Sequence, residues 1–153
     1  MNPERAWRRY QEAEDAYYDA RARLMETDYE PILRRALNTA AGRGTVLRLL
    51  ADTSSPERLM DWFDALVAVA IRTHPELGLV RRMLASLDPG WLYSNLTPFV
   101  DQLIASPASG WEEFRRLAEL LDALGQTQLL ETVVKAAAAS PDEDTRDVAE
   151  DFS

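Results

Sequence analysis

The chain has 153 residues, 46% of them hydrophobic and 28% charged, with a formal net charge of −9 and no cysteine. That composition suits one folded domain and is too apolar for global disorder. It excludes disulfides, thiolate nucleophiles and zinc–thiolate sites. The longest apolar run, Ala65 to Ile71, falls far short of the ~20 residues of a membrane-spanning helix. Met1 to Tyr10 carries Glu4, Arg5, Arg8 and Arg9 and no apolar core of a signal peptide, so the expected location is cytoplasmic. Sixteen of the 17 basic residues are arginine, a bias typical of GC-rich bacterial coding sequences.

Strand signals are almost absent, because there is no period-2 alternation and no Asn-Gly or Asp-Gly turn. The first element in chain order is a helix over residues 1–28, roughly Pro3 to Glu26. Its aromatic face of Trp7, Tyr10 and Tyr17, with Leu24, is expected to pack on the first hairpin as a cap, the alternative being that it self-associates or binds a partner. Ile32, Leu33, Ala36, Leu37 and Ala40 then form a helical stripe that Gly42-Arg43-Gly44 is expected to end as a turn. A short helix through Val46–Leu50 follows. A single broad stripe then runs from Leu59 through Trp62, Phe63, Leu66, Val67 and Ala70 to Ile71.

The next stripe, Leu77 to Leu87, stops at Asp88-Pro89-Gly90. Leu92 to Ile104 forms another, and Trp111 to Leu124 runs up to Gly125, read as the left-handed residue after a helix end. Leu129 to Ala137 and a last segment from Pro141 complete the chain. Ser/Thr-x-x-Glu capping boxes are read at Thr27/Glu30, Ser54/Glu57, Thr73/Glu76, Ser109/Glu112 and Ser140/Glu143. The starts recur every 15–20 residues, near 55, 74, 90, 110, 126 and 141. The expected fold is therefore all-α, a short α-solenoid of stacked helical hairpins over 29–153 behind the N-terminal helix. The alternative is an irregular helical bundle.

Chemistry is sparse. One histidine, His74, and no cysteine cannot make an ordinary zinc site, and no phosphate-binding or nucleophile-elbow motif occurs. No metal or cofactor is expected. Asp61 and Asp64 could share a helix face as an acid/base pair, which makes a carboxylate-dependent enzyme a distant third reading. The expectation is a non-enzyme.

Charge is the main functional signal. Residues 1–30 are net −3 and residues 31–87 net +3, whereas residues 88–153 set 13 acids against 4 bases, net −9. Such a surface repels nucleic acid and steers a basic protein. The candidate partner-binding residues are Glu112, Glu113, Glu119 and Asp122 on one helix and Asp142, Asp144, Asp147 and Glu150 on the last. Trp91 and Tyr93, near the turn at Asp88-Pro89-Gly90, are candidate aromatic anchors.

The segment from Leu120 to Glu150 resembles a HEAT-type repeat, in which Asp144, Thr145, Arg146 and Ala149 match the run common in the second helix. Residues 45–125 are similar to HEAT-like immunity proteins of bacterial polymorphic toxin systems. That likeness rests on the order Val46–Asp52, an amphipathic helix, Val80–Leu84, an aromatic turn and Phe114. The resemblance implies a small cytoplasmic protein that occludes a toxin domain. A HEAT-like adaptor or scaffold subunit is the alternative.

Overall fold

The computed structural model describes residues 2–153, and among these the protein is all-α, with ten helices and no strand. α1 spans Pro3–Met25, α2 Glu30–Leu37, α3 Ala40–Thr53, α4 Pro56–Asp61 and α5 Phe63–Ala70. α6 spans Leu77–Ala85, α7 Pro89–Ala105, α8 Trp111–Ala123, α9 Thr127–Ala138 and α10 Glu143–Asp151.

Chain neighbours pack as α2 on α3, α5 on α6, α7 on α8, α8 on α9 and α9 on α10. Across the chain, α3 packs on α6, α6 on α8, α7 on α9 and α8 on α10. One continuous hydrophobic cluster links these helices from Leu33 to Ala149. Trp62 and the leucines at 37, 47, 66, 84, 92, 96, 120 and 121 are its largest fully buried members. Each such leucine contributes about 1.5–3 kcal/mol relative to exposure.

The stripes place the helices well, but two boundaries differ from the sequence reading. Gly42-Arg43-Gly44 is not a turn and lies inside α3. A Cβ on Gly42 would sit 2.8 Å from Ala36 Cβ, and one on Gly44 would sit 2.7 Å from Glu76 Oε1. These glycines therefore serve close approach within the α2–α3 corner and between α3 and the α5–α6 turn. The real break lies at Asn38-Thr39, where the Thr39 hydroxyl accepts from Gly42 N–H at 3.0 Å.

The second difference is that the stripe from Leu59 to Ile71 is two helices, broken at Trp62. Arg34 of α2 explains why the break is tolerated. Its guanidinium lies 4.4 Å from the Trp62 ring centroid and donates to the Asp61 carbonyl at 3.1 Å, satisfying a group the break frees.

The expected capping boxes are displaced as well. Ser55, not Ser54, caps α4, because Pro56 takes the first helical position. Gly110 precedes α8, with Glu113 Oε2 accepting from Gly110 N–H at 2.9 Å. Asp142 caps α10, while Ser140 Oγ accepts from Asp142 N–H. Thr27 Oγ1 donates to the Leu24 carbonyl at the end of α1, and Thr73 caps nothing. The reading of Gly125 holds. Its φ is +66°, and the bonds Gln126 N–H to Leu121 O and Gly125 N–H to Asp122 O close a Schellman motif.

The N-terminal helix departs most from expectation. α1 buries none of its residues, and Trp7, Tyr10, Tyr17 and Tyr18 are 60%, 59%, 42% and 49% exposed. Only Leu24 and Met25, at its C-terminal end, reach the core. α1 does not cap the helices that follow, because its aromatic residues pair with each other and with Arg21 instead.

Candidate partner-binding surface

Helix α8 exists because Phe114, Leu117, Ala118, Leu120 and Leu121 form a buried face, which leaves its polar side outward. The four acids proposed on it have different surroundings. Glu113 is occupied at the helix start by Gly110 N–H. Glu119 is part-buried and lies 3.4 Å from both Arg81 of α6 and Arg116. Those two cations neutralise it and tie α6 to α8. Glu112 and Asp122 are exposed and form no ion pair among the described residues.

Helix α10 packs Thr145, Val148 and Ala149 inward against α8 and α9. Asp142 is committed to the cap, since its Oδ2 accepts from Thr145 N–H at 3.0 Å and from Thr145 Oγ1 at 2.6 Å. Arg146 donates to the carbonyls of Ser140 and Pro141 and forms no ion pair among the described residues. Asp151 is held by Arg115 of α8. Asp144, Asp147 and Glu150 remain exposed without an ion pair. Among the candidate acids the free negative charge thus narrows to Glu112 and Asp122 on α8 and Asp144, Asp147 and Glu150 on α10, while Asp101, Glu131 and Glu143 elsewhere in the last third are likewise exposed and in no ion pair among the described residues.

The two aromatics at the start of α7 separate. Trp91 is half-buried and meets Phe63 edge to face, with ring centroids 4.9 Å apart. Tyr93 points the other way and is 41% exposed. Gln126 at the start of α9 is buried and donates to the Pro89 carbonyl at 3.2 Å, which fixes the α7 start against α9.

Packing of α5, α7 and α8 leaves an open cleft of about 700 Å³ that the sequence does not announce. Its floor is apolar, with Val67, Ile71, Phe99, Leu103 and Leu117. Its rim is polar and charged, with Arg72, Gln102, Ser109, Glu112, Glu113 and Arg116. Of the candidate residues, only Glu112 and Glu113 line it. The other lining residues come from positions 67 to 117, a spread that no local spacing reveals.

His74 lies in the α5–α6 turn next to the cleft residues Arg72 and Thr73, and its side chain is almost fully enclosed. Its Nε2 lies 3.0 Å from the Val69 carbonyl, which can only accept, so that nitrogen carries the proton. Its Nδ1 lies 3.3 Å from Glu76 Oε2. Asp61 and Asp64 are both exposed and share no hydrogen bond. Among the described residues no group of three or more His, Cys, Asp or Glu side chains is placed to hold a metal, and no helix is long and apolar enough to cross a membrane. Compared with known proteins, the chain matches no family model, no curated protein and no solved structure.

Proposed function

We propose that this chain is a protein-binding module that captures a basic partner on the acidic surface of α8 and α10, with immunity against a toxin domain as its most specific form. One observation carries the reading. After internal pairing, Glu112, Asp122, Asp144, Asp147 and Glu150 keep uncompensated charge at the surface. Such charge steers an oppositely charged protein and raises its association rate. The adjoining cleft offers an apolar floor where an inserted side chain of that partner loses water.

The packing order also supports a short HEAT-like solenoid. α3, α6, α8 and α10 contact one another in sequence, and α7 contacts α9, the neighbour-to-neighbour pattern of stacked hairpins. Solenoids present extended surfaces of this kind to protein partners.

The test is binding to the product of the neighbouring gene, where a toxin and its blocker are expected to lie together. A complex whose association rate falls steeply with salt supports the reading, as does loss of that salt dependence in Asp144→Lys/Asp147→Lys/Glu150→Lys. A partner that binds with no salt dependence, or whose binding the triple variant leaves unchanged, favours the adaptor reading.

A further inference from the structure

Helix α1 is 23 residues, roughly 34 Å, has no fully buried residue, and touches the core only through Leu24 and Met25 at its C-terminal end. Helices outside a tertiary contact draw little stability from propensity alone, so an apolar stripe on such a helix is a face without its neighbour. The stripe has a strict seven-residue repeat. Tyr10, Tyr17 and Leu24 recur at one position, and Ala6, Ala13 and Ala20 at the other, in alternating steps of three and four. With Leu24 engaged by the core, the free seam runs from residue 3 to residue 20.

The flank beside this seam is divided by charge. Along the free seam, Arg5 and Arg9 lie on this flank toward the N-terminus and Glu12 and Asp19 follow toward the C-terminus, with Arg23 on the same flank beyond the seam's end. A helix with basic residues at one end of a flank and acidic residues at the other complements its own antiparallel image.

We propose that α1 is a dimerisation helix whose partner is α1 of a second copy of this chain, paired antiparallel. In the register centred between Gln11 and Glu12, Tyr10 lies across Ala13 of the second copy and Tyr17 across Ala6. The small alanines let the two helix axes come close, and each tyrosine ring covers an alanine. The same register sets Arg5 level with Asp19, and Arg9 level with Glu12, of the second copy, to within two residues or about 3 Å along the axis. A parallel pair would set Tyr10 against Tyr10 and Ala13 against Ala13, so that crowded and empty layers alternate along the seam. It would also bring both bodies, each starting just after Glu26, to one end of the rod. The antiparallel pair carries them at opposite ends. The pairing uses none of the acids of α8 and α10 and stands apart from the proposed function.

Sedimentation equilibrium of the full chain tests it. The expected mass at high concentration is twice 17.3 kDa. Arg5→Glu/Arg9→Glu and Glu12→Arg/Asp19→Arg are each expected to be monomeric alone and to pair when mixed. A wild-type monomer at every concentration overturns the proposal. So does a dimer that both variants leave intact, or a mixture that fails to pair. Spin labels on Glu4→Cys and Gln11→Cys, clean because the chain has no cysteine, give a second readout if the charge variants fold poorly. Along the axis, the antiparallel pair separates the residue-4 labels by about 22 Å and the residue-11 labels by about 2 Å. Equal spacing at both positions overturns it.

Discussion

Phe63 and Trp91 lock the first turn of α5 to the first turn of α7, edge to face with ring centroids 4.9 Å apart. That contact assigns Trp91 to packing and leaves Tyr93, two residues on, as the solvent-facing aromatic of the α7 start. Trp91→Ala is expected to lower unfolding free energy by about 2–4 kcal/mol, read from urea denaturation. Tyr93→Ala is expected to stay within about 0.5 kcal/mol. A larger loss for Tyr93→Ala than for Trp91→Ala would reverse the two assignments.

Asp142 is read as a cap rather than as a partner contact. Asp142→Ala removes the acceptor for Thr145 N–H and leaves the buried Thr145 hydroxyl without its partner. The expected cost is about 1–2 kcal/mol of stability, with Asp142→Asn recovering part of it. Thermal unfolding of both variants measures this.

Gly125 is the one residue with positive φ among those described. Gly125→Ala meets no neighbouring atom, so its effect isolates backbone conformation. A loss of roughly 1 kcal/mol is expected from chemical denaturation, and Gly125→Asn is expected to lose less.

Glu57 offers a pH-dependent observable. The hydrogen bond from Ser55, and then the backbone N–H of Glu57 itself, hold its carboxyl below the usual glutamate value. A lowered pKa in the folded state means that the contribution is fully present above the ordinary glutamate pKa. It is lost as pH falls through the lowered value. An NMR titration of the Glu57 carboxyl should show the depressed midpoint, and Ser55→Ala should move it upward.

The helical class and most helix positions were legible because apolar spacing is a local signal, and α4, α7, α8 and α9 begin within a residue or two of the expected points. Caps were less legible. The Ser/Thr-x-x-Glu pattern fits several registers, and Pro56 or the Asp142–Thr145 pair decides between them only in three dimensions. The break at Trp62 depends on Arg34, 28 positions earlier in the chain, and Gly44 answers to Glu76. The acidic excess was visible in composition. Which acids remain free was not, because Glu119 is neutralised by Arg81 from another helix and Asp151 by Arg115. The misplacement of α1 has the same origin, since its stripe calls for a neighbour and no spacing within Pro3–Met25 says whether the following helices supply it.

The imidazole of His74, enclosed at the α5–α6 turn and bonded to the Val69 carbonyl, is the only one in the chain. It sits next in sequence to two residues of the cleft wall. Its ring-proton resonances therefore form a built-in spectroscopic reporter that needs no residue assignment. A partner or small molecule seated between α5 and α8 is expected to shift them, and one bound along α10 alone to leave them in place.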